Sequence, residues 1–430
     1  MRIAVLSETE ANESRVAATP ETVKKLKSLG ADIVVEAGAG TKSGIPDADF
    51  TAAGASVVAS AAKAVAGADI VLSVRRPSVA QIKGVNEGAA VISIADPYGN
   101  EAEIKSLAGT KTSVFAMELM PRITRAQVMD VLSSQANLAG YRSVIDASAE
   151  YGRAFPMMMT AAGTVPAARV FIMGVGVAGL QAIATARRLG AIVTATDVRP
   201  ATKEQVESLG AKFVAVEDEE FKQAETSGGY AKEMSKEYQA KQAELIASHI
   251  AKQDIVITTA LIPGRPAPRL VTAKMIEAMK PGSVLVDLAV ERGGNVEGVK
   301  PGKVVETANG VKLVGHLNVA GRLAASASGL YAKNLFAFVE TLVDKEKKAL
   351  AINWDDELVK ATALTRGGAI VHPNFGGGDA PAPAEKPAKA DKEAAPKAAA
   401  PKAAKAKAAK PKTASKTAAK PAAKSKSKGA

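Results

Sequence analysis

The stretch Arg169-Val-Phe-Ile-Met-Gly-Val-Gly-Val-Ala-Gly-Leu-Gln181 decides which fold the rest of the chain has to complete. Its pattern predicts a short buried strand, a G-x-G-x-x-G turn and the beginning of a helix. Gly174 permits the tight turn, Gly176 lets the backbone approach a pyrophosphate, and Gly179 allows the helix to pack closely on the strand. Because a helix N-terminus attracts anions, the stretch predicts a dinucleotide-binding unit.

An acidic residue stands where such a unit places the group that binds ribose. The predicted second strand, residues 192–195, is followed by Asp197, 18 residues after Gly179. A carboxylate there accepts a hydrogen bond from a ribose 2′-OH and repels a 2′-phosphate, which favours NAD over NADP. Arg199 leaves three alternatives: a weaker preference for NAD, a pair with Asp197, or a contact with a phosphate.

Two loops at the carboxyl ends of later strands complete the expected crevice. They are residues 258–264, after the fourth predicted strand of this unit, and residues 287–294, after the fifth. An ordinary loop without a ligand is the alternative for both. The residues expected to bind the cofactor are Gly174, Val175, Gly176, Val177, Ala178, Gly179, Asp197, Val198, Arg199, Thr259, Ala260 and Leu261.

Strands and helices alternate on both sides of this motif, as they do in parallel, doubly wound sheets. We expect an α/β protein with two Rossmann-like domains joined by long helices at residues 124–151 and 323–347. The predicted strands are residues 3–6, 33–36, 56–58, 70–74 and 91–95 in the first domain and 170–173, 192–195, 213–216, 254–258, 283–288 and 311–314 in the second. The expected boundaries place residues 1–132 with 324–375 in one domain, 133–323 in the NAD(H)-binding domain, and 376–430 in a disordered tail.

The basic charge of the chain is concentrated in that tail. The formal net charge is +12, and residues 376–430 contain 14 lysines and 4 acidic residues among Ala and Pro. The remainder is close to neutral, so we expect no nucleic-acid partner for the folded part. A solubilising extension is favoured for the tail over an electrostatic tether to anionic lipid, nucleic acid or an acidic partner.

Composition excludes several classes of chemistry. The chain has 430 residues, no cysteine, and three histidines that are far apart in sequence. Disulfide scaffolds, cysteine nucleophiles, thiolate zinc sites and cysteine-ligated iron–sulfur clusters are excluded, and we expect no metal site. No apolar run is long enough to span a bilayer, and the first residues do not resemble a signal peptide, so we expect a cytoplasmic protein.

Several further segments carry a family resemblance. They are Glu8-x6-Arg15-Val-Ala-x-Thr-Pro20 and residues 117–141, 153–166, 229–234 and 258–268. Together with the G-x-G-x-x-G stretch, they resemble the alanine dehydrogenase and transhydrogenase α-subunit family over roughly residues 1–375. The tail lies outside the resemblance.

The two activities of this family need different residues. The resemblance places the substrate-binding lysine of alanine dehydrogenases at Arg75 and their acid/base histidine at Asp96. Reductive amination requires proton transfer, whereas hydride transfer between two nicotinamides requires a dry site and correct geometry. These departures favour transhydrogenase. A stand-alone NAD-dependent amino-acid dehydrogenase of the alanine dehydrogenase type, with Arg15 and Arg75 holding a carboxylate, is the alternative, and a NAD-sensing subunit without catalysis is another.

The resemblance to the transhydrogenase branch also implies partners and a location. It implies that NAD(H) binds to this chain and exchanges hydride with NADP(H) bound on a partner subunit, coupled to proton translocation by membrane-embedded subunits. It further implies a homodimer that is peripheral on the cytoplasmic face of the inner membrane.

The same resemblance assigns roles to a polar segment before the first long helix. Arg122, Gln127, Asp130 and Ser133 match the loop that orients the nicotinamide and its ribose, and they are the expected catalytic residues. Guanidinium and amide donors suit the carboxamide and hydroxyl groups of the cofactor. The alternative is a helix N-terminal turn held by capping and salt bridges.

A long polar insertion at residues 217–243 resembles the mobile loop that closes over bound NAD(H) in the family. Gly229 is expected to contact the cofactor, and Tyr230, which is also an expected catalytic residue, to pack on it. The alternative is an exposed helix with Tyr230 and Met234 on its inner face.

Three further residue sets are interpreted without a role in binding. We expect residues 157–159, three consecutive methionines, to belong to the core rather than to a cofactor contact. His316 is expected to be a core histidine, and His249 an exposed residue of a helix.

Overall fold

The computed structural model describes residues 1–222 and 234–376, and all statements about structure below concern these residues. Gly229 and Tyr230 lie outside the described residues, as does the tail from residue 377 onward. Within the described part, no helix is both long enough and apolar enough to cross a membrane.

The first sheet is parallel throughout, with the strand order β3-β2-β1-β4-β5-β6 in the described residues. Its strands are β1 (Arg2–Val5), β2 (Asp32–Glu36), β3 (Ser56–Val58), β4 (Ile70–Arg75), β5 (Ala90–Ile94) and β6 (Ser113–Ala116). The helices that connect them are α1 (Pro20–Ser28), α2 (Asp47–Ala52), α3 (Ala61–Val65) and α4 (Glu101–Ala108). This order is that of a doubly wound sheet, so the expected fold class is confirmed for the first domain.

The sequence interpretation missed α4 and β6. Both are short, and β6 has only four residues, Ser-Val-Phe-Ala, which carry a weak strand signal on their own. Tertiary packing stabilises β6 instead: all four of its residues are buried, and Phe115 packs edge-on against Phe338, with 5.4 Å between the ring centroids. The other strands of this sheet lie within one residue of their predicted limits.

A long helix, α5 (Val131–Glu150), leads away from the first sheet. The predicted helix over 124–151 is interrupted: residues Thr124–Met129 form a 3-10 turn, and Asp130 then caps α5 by accepting a hydrogen bond from Ser133 N. After α5 comes a two-stranded hairpin, β7 (Met158–Thr160) and β8 (Gly163–Val165).

The placement of the three methionines in the core was wrong. Met157, Met158 and Met159 stand on and beside the β7–β8 hairpin, with 57%, 42% and 80% of their surface exposed. The hairpin pairs only with itself among the described residues, so no second layer covers these side chains.

The second sheet has the order β11-β10-β9-β12-β13-β15-β14 in the described residues. Its strands are β9 (Arg169–Met173), β10 (Ile192–Thr196), β11 (Lys212–Phe213), β12 (Ile255–Thr258), β13 (Val284–Asp287), β14 (Val304–Glu306) and β15 (Lys312–Val314). The helices of this region are α6 (Val177–Arg188), α7 (Thr202–Ser208), α8 (Glu219–Lys222), α9 (Lys236–Ile250) and α10 (Ala273–Glu277). The edge strand β14, antiparallel to β15, was not predicted. The two Rossmann-like sheets confirm the expected fold class.

His249 is not the exposed residue that its helical position suggested. It is half-buried on α9, its Nε2 atom lies 2.9 Å from Thr194 Oγ1, and its ring packs edge-on against Phe171. Burial lowers the pKa of His249. His316 is partly buried, and burial lowers its pKa as well.

The chain then returns to the first sheet through α11 (Ala324–Thr341). Tyr331, Leu335, Phe338 and Val339 of this helix join the core of the first sheet, whereas Leu330 is 40% exposed. The predicted helix to residue 347 ends early, because a hairpin of β16 (Val343–Asp344) and β17 (Ala349–Leu350) follows. The remaining elements are α12 (Glu357–Thr362), β18 (Thr365–Arg366) and β19 (Ala369–Ile370). The exact limits of the two domains stay predictions.

A glycine allows α5 to cross α6 closely. At Gly140, an added Cβ atom would lie 2.1 Å from the carbonyl oxygen of Ala178. Any larger residue would therefore push the two helices apart. This contact holds the middle of α5 close to the G-x-G-x-x-G turn, because Ala178 belongs to the first turn of α6.

Buried carboxylates hold the carboxyl edge of the first sheet. Glu8 accepts hydrogen bonds from Val74 N at 2.6 Å and Arg75 N at 3.2 Å, where β4 ends. Burial raises the pKa of Glu8 to about 7, and the nearby charge of Glu13 adds to this rise, against the lowering effect of the backbone donors. Glu118 holds the end of β5 in the same way, and burial raises its pKa.

We expect Gly140→Ala to destabilise the protein, although a helix interior is normally more stable with alanine than with glycine, by up to about 1 kcal/mol. Overpacking of this kind costs about 1–3 kcal/mol. Urea denaturation provides the measurement. Gly329→Ala in α11 is the matched control, because its Cβ would meet nothing within 4 Å, and it should stabilise. A more stable Gly140→Ala variant would contradict the close contact.

Glu8→Gln should flatten the dependence of stability on pH. The folded protein holds the Glu8 proton up to about pH 7, whereas the unfolded chain releases it near the ordinary value of 4.5. The contribution of Glu8 to stability is therefore fully present below pH 4.5 and is lost as pH rises through 7, by up to about 3 kcal/mol. Urea denaturation across this range should show a smaller decline in the variant; an unchanged decline would rule out this titration.

Candidate functional site

The G-x-G-x-x-G turn has the geometry that each glycine predicts. Gly174 has a φ of +101°, and its carbonyl accepts a hydrogen bond from Thr259 Oγ1 at 3.0 Å. A Cβ atom on Gly179 would lie 1.9 Å from the carbonyl oxygen of Gly174. Only a glycine at residue 179 therefore lets helix α6 pack this closely against the turn. A Cβ atom on Gly176 would meet nothing within 4 Å, and space is open above that residue.

The first turn of α6 presents its amide groups to this open space. Gly176 is the N-cap and supplies no side-chain acceptor, so the leading N–H groups of α6 have no capping side chain. Val177 is exposed and Ala178 half-buried. A helix N-terminus in this condition attracts an anion.

Asp197 lies beside the turn, at the end of β10. Its Oδ2 atom accepts a hydrogen bond from Val175 N at 2.7 Å, so the carboxylate braces the turn directly. Arg199 donates to the same carboxylate from its backbone N and from Nε, both at 2.9 Å. Of the alternatives considered for Arg199, the structure shows the pair with Asp197. Val198, between them, is 62% exposed.

The loop after β12 is held by a residue that the sequence interpretation overlooked. Asn295, which is fully buried, accepts a hydrogen bond from Ala260 N at 3.1 Å and donates to Ala260 O at 2.9 Å. Asp287, at the end of β13, accepts from Ala289 N and Val296 N and so fixes the loop that carries Asn295. Asn295 directly follows Gly293 and Gly294, and an amide after two turn glycines was the available signal. With these bonds in place, Leu261 stands 54% exposed.

Of the four residues expected to act in the polar segment before α5, two are bonded to each other and two are exposed. Asp130 accepts hydrogen bonds from Ser133 N at 2.8 Å and from Ser133 Oγ at 2.5 Å, so both residues cap the helix. Arg122 and Gln127 are exposed. Arg125, in the same segment, forms an ion pair with Asp356 at 2.7 Å. The structure thus shows the capping and the salt bridge of the alternative interpretation, and it leaves the side chains of Arg122 and Gln127 accessible.

A cleft of about 420 Å³ lies between loops of the two sheets. The first domain lines it with Glu10, after β1, and with residues at or after the ends of β4 and β5, and the second domain with residues that follow β12 and β13. The lining residues are Glu10, Arg75, Arg76, Ile94, Ala95, Asp96, Asn100, Leu261, Leu288, Ala289, Glu291 and Arg292. Both sheets therefore direct their carboxyl edges at this cleft, the edge where doubly wound sheets bind ligands.

On the first-domain side of the cleft, Arg75 shares one carboxylate with Arg15, whereas Arg76 donates to the backbone carbonyls of Ala95 and Asp96. Arg15 and Arg75 both donate to the carboxylate of Glu13, at 2.7 Å and 2.8 Å. Burial alone would raise the pKa of Glu13, but the hydrogen bonds and charge of Arg15 and the charge of Arg75 outweigh it and lower that pKa to about 2. Arg15 also donates to Gln135 at 2.9 Å. In the described part of the site, the guanidinium groups of Arg15 and Arg75 are therefore both already paired, and neither is free to bind a small carboxylate.

In residues 1–222 and 234–376, no group of three or more His, Asp or Glu side chains could hold a metal ion. The position at which the resemblance places an acid/base histidine is occupied by Asp96, which lines the cleft.

Comparisons with known proteins agree with this geometry. The family models described as "Alanine dehydrogenase/PNT, N-terminal domain" and "Alanine dehydrogenase/PNT, C-terminal domain" match residues 4–139 and 143–373. A protein from Rhodospirillum rubrum, named as the first part of an NAD(P) transhydrogenase α subunit, is 56% identical over 382 residues, which cover 88% of this chain and 99% of the relative. A protein of the same name from Rickettsia prowazekii is 48% identical over 376 residues, covering 86% of this chain and 96% of the relative.

Among solved structures, the crystal structure of transhydrogenase from Sinorhizobium meliloti is similar, with 66% sequence identity and a TM-score of 0.79. The match covers 86% of this chain and 100% of that one. The chain therefore belongs to the alanine dehydrogenase/PNT family and, within it, to the α subunits of NAD(P) transhydrogenase.

Proposed function

We propose that this protein is the NAD(H)-binding subunit of a proton-translocating transhydrogenase and transfers hydride between NADH and NADP⁺ bound on a partner subunit. The observation that carries the proposal is the open N-terminus of α6 at the G-x-G-x-x-G turn, braced by Asp197. The high identity to proteins named as transhydrogenase α subunits supports the reaction.

The residues around the turn fit an adenine dinucleotide. The amide groups at Gly176, Val177 and Ala178 suit the pyrophosphate, and the Asp197 carboxylate suits a ribose hydroxyl. Thr259, Ala260 and Leu261, fixed by Asn295, would border the nicotinamide half. Arg122 and Gln127 have accessible donors that could orient the carboxamide, while Asp130 and Ser133 fix the start of α5.

The cofactor, when bound, supplies the hydride, and the chain supplies position and exclusion of water. Transfer between two nicotinamide rings requires no proton donor, which agrees with an aspartate at residue 96. The sequence contains one complete G-x-G-x-x-G stretch, so the second dinucleotide belongs on another subunit in this proposal. Proton translocation would belong to membrane-embedded subunits, with this chain peripheral on the cytoplasmic face of the inner membrane.

A homodimer forms part of the proposal. The β7–β8 hairpin carries Met157, Met158 and Met159 as an exposed apolar patch. Flexible methionine side chains are enriched at protein interfaces, and a second copy of the chain is the partner that the family resemblance implies.

Reconstitution tests the proposed reaction. The chain, mixed with NADP(H)-binding and membrane subunits, should reduce a thio-NADP analogue with NADH, measured by absorbance. Gln127→Asn should slow this transfer far more than it weakens NADH binding, because its role is orientation. The control omits the partners and supplies pyruvate and ammonia; NADH oxidation under those conditions would show an amino-acid dehydrogenase instead. Binding of NADH without any transfer would show a sensing subunit.

Asp197→Asn should weaken NADH binding by about 10- to 100-fold, the range that corresponds to loss of a hydrogen bond to a charged group. It should also reduce discrimination against NADPH, because the charge that repels a 2′-phosphate is lost. Fluorescence titration with both cofactors measures the two effects. Asp254→Asn is the matched control, since Asp254 accepts from Arg169 N at the opposite edge of the same sheet. Unchanged selectivity would remove Asp197 from the ribose role.

A further inference from the structure

The loop between β5 and α4, residues 95–100, contains a strained residue that faces the second domain. Asp96 has a φ of +46°, in the left-handed region that favours glycine. A non-glycine residue persists there only where its surroundings hold it, and such residues concentrate at functional sites.

First-domain groups hold the Asp96 backbone from both sides. Glu118 accepts hydrogen bonds from Asp96 N and from Ala95 N, the latter at 3.1 Å. The Asp96 carbonyl in turn accepts from Arg76 Nη1 at 3.1 Å and from Asn100 Nδ2 at 2.8 Å. Because the backbone is fixed on its donor and acceptor sides, the direction of the Asp96 side chain is set by the first domain.

That side chain reaches the second domain. The Asp96 carboxylate forms an ion pair with Arg292, which lies in the 3-10 turn Val290–Arg292 after β13. The two side chains are 38% and 49% exposed. The pair therefore joins the carboxyl edge of the first sheet to that of the second.

A second contact from the same loop reaches the neighbouring loop of the second domain. A Cβ atom on Gly264, which follows β12, would lie 2.8 Å from Cδ1 of Tyr98. Tyr98 is itself held edge-on against Phe375 of the first domain, with 4.9 Å between ring centroids. One loop thus touches both second-domain loops that line the cleft, one by charge and one by close packing.

We propose that residues 95–100 form an interdomain clamp, in which the Asp96–Arg292 pair and the Tyr98–Gly264 contact set the width of the cleft. Asp96, Tyr98 and Arg292 are positioning residues, because they act on the cleft through the loops that carry them. The clamp stands on these contacts alone; its use in aligning the nicotinamide beside Leu261 rests on the proposed function.

The size of the effect follows from exposure. A half-exposed ion pair contributes at most about 1 kcal/mol, which is a factor of about five in an equilibrium. Such a pair orients two bodies without locking them, and salt screens it. We therefore expect loss of the pair to widen the distribution of cleft widths and to weaken NADH binding by no more than about five-fold.

The sequence without cysteine allows a direct measurement of cleft width. Spin labels are attached to the full chain at Ala80→Cys and Ala273→Cys, two exposed positions after β4 and at the start of α10. Asp96→Asn and Arg292→Gln, each alone and together, are compared by electron–electron double resonance. Asparagine tolerates positive φ, so Asp96→Asn removes the charge and keeps the backbone conformation.

The proposal expects each single variant to broaden or lengthen the distance distribution, and the double variant to do so no further than either one. High salt should produce the same change in the unsubstituted chain. The matched control is Glu87→Gln, which removes an exposed ion pair with Lys111. This pair lies at the opposite edge of the first sheet, ahead of β5 and β6, and Lys111 also has a positive φ, of +59°. This control should leave the distribution unchanged.

An unchanged distribution in either single variant would overturn the clamp. Additive effects in the double variant, or an equal change in Glu87→Gln, would also overturn it. These outcomes do not depend on the proposed reaction, because the distances are measured without partner subunits. If reconstitution shows no hydride transfer while the distances shift as expected, the proposed function fails and the clamp stands.

Discussion

The close crossing of α5 on α6 is the constraint on which the rest of the site depends. Gly140 brings the backbone of α5 against the Ala178 carbonyl, and Gly179 brings α6 against the turn at Gly174. Through these two contacts, α5 packs on α6 and α6 packs on the G-x-G-x-x-G turn, with no side chain between the backbones. The middle of α5 is therefore held against the first turn of α6 by backbone packing rather than by adjustable side chains.

Local patterns predicted most of the fold and the strand–turn–helix geometry of the candidate dinucleotide site. The strands Ile70–Arg75 and Arg169–Met173 are short and mostly apolar, which is typical of buried parallel strands. The G-x-G-x-x-G turn and Asp197 were predictable because their chemistry is encoded within about 30 residues. By contrast, β6 and β14 are short strands at sheet edges, where tertiary contacts rather than sequence periodicity decide the structure.

The residues that sequence reasoning missed act over long separations. Asn295 holds Ala260, 35 residues away, and Arg292 meets Asp96, 196 residues away. No local pattern encodes such pairs. The three methionines show the opposite failure: an apolar run predicts burial, but Met157, Met158 and Met159 are exposed on and beside the β7–β8 hairpin.

The arrangement of charge bears most strongly on the choice between the two activities of the family. A cleft that bound a small keto acid would need an unpaired cation for its carboxylate and a proton donor for its carbonyl. Here Glu13 occupies Arg15 and Arg75 together, and Asp96 is engaged by Arg292. Breaking these pairs would leave a buried carboxylate without its partners, which costs far more than a weakly bound substrate returns. A small anion that bound to Arg15 or Arg75 would therefore have to compete with Glu13 for the guanidinium group.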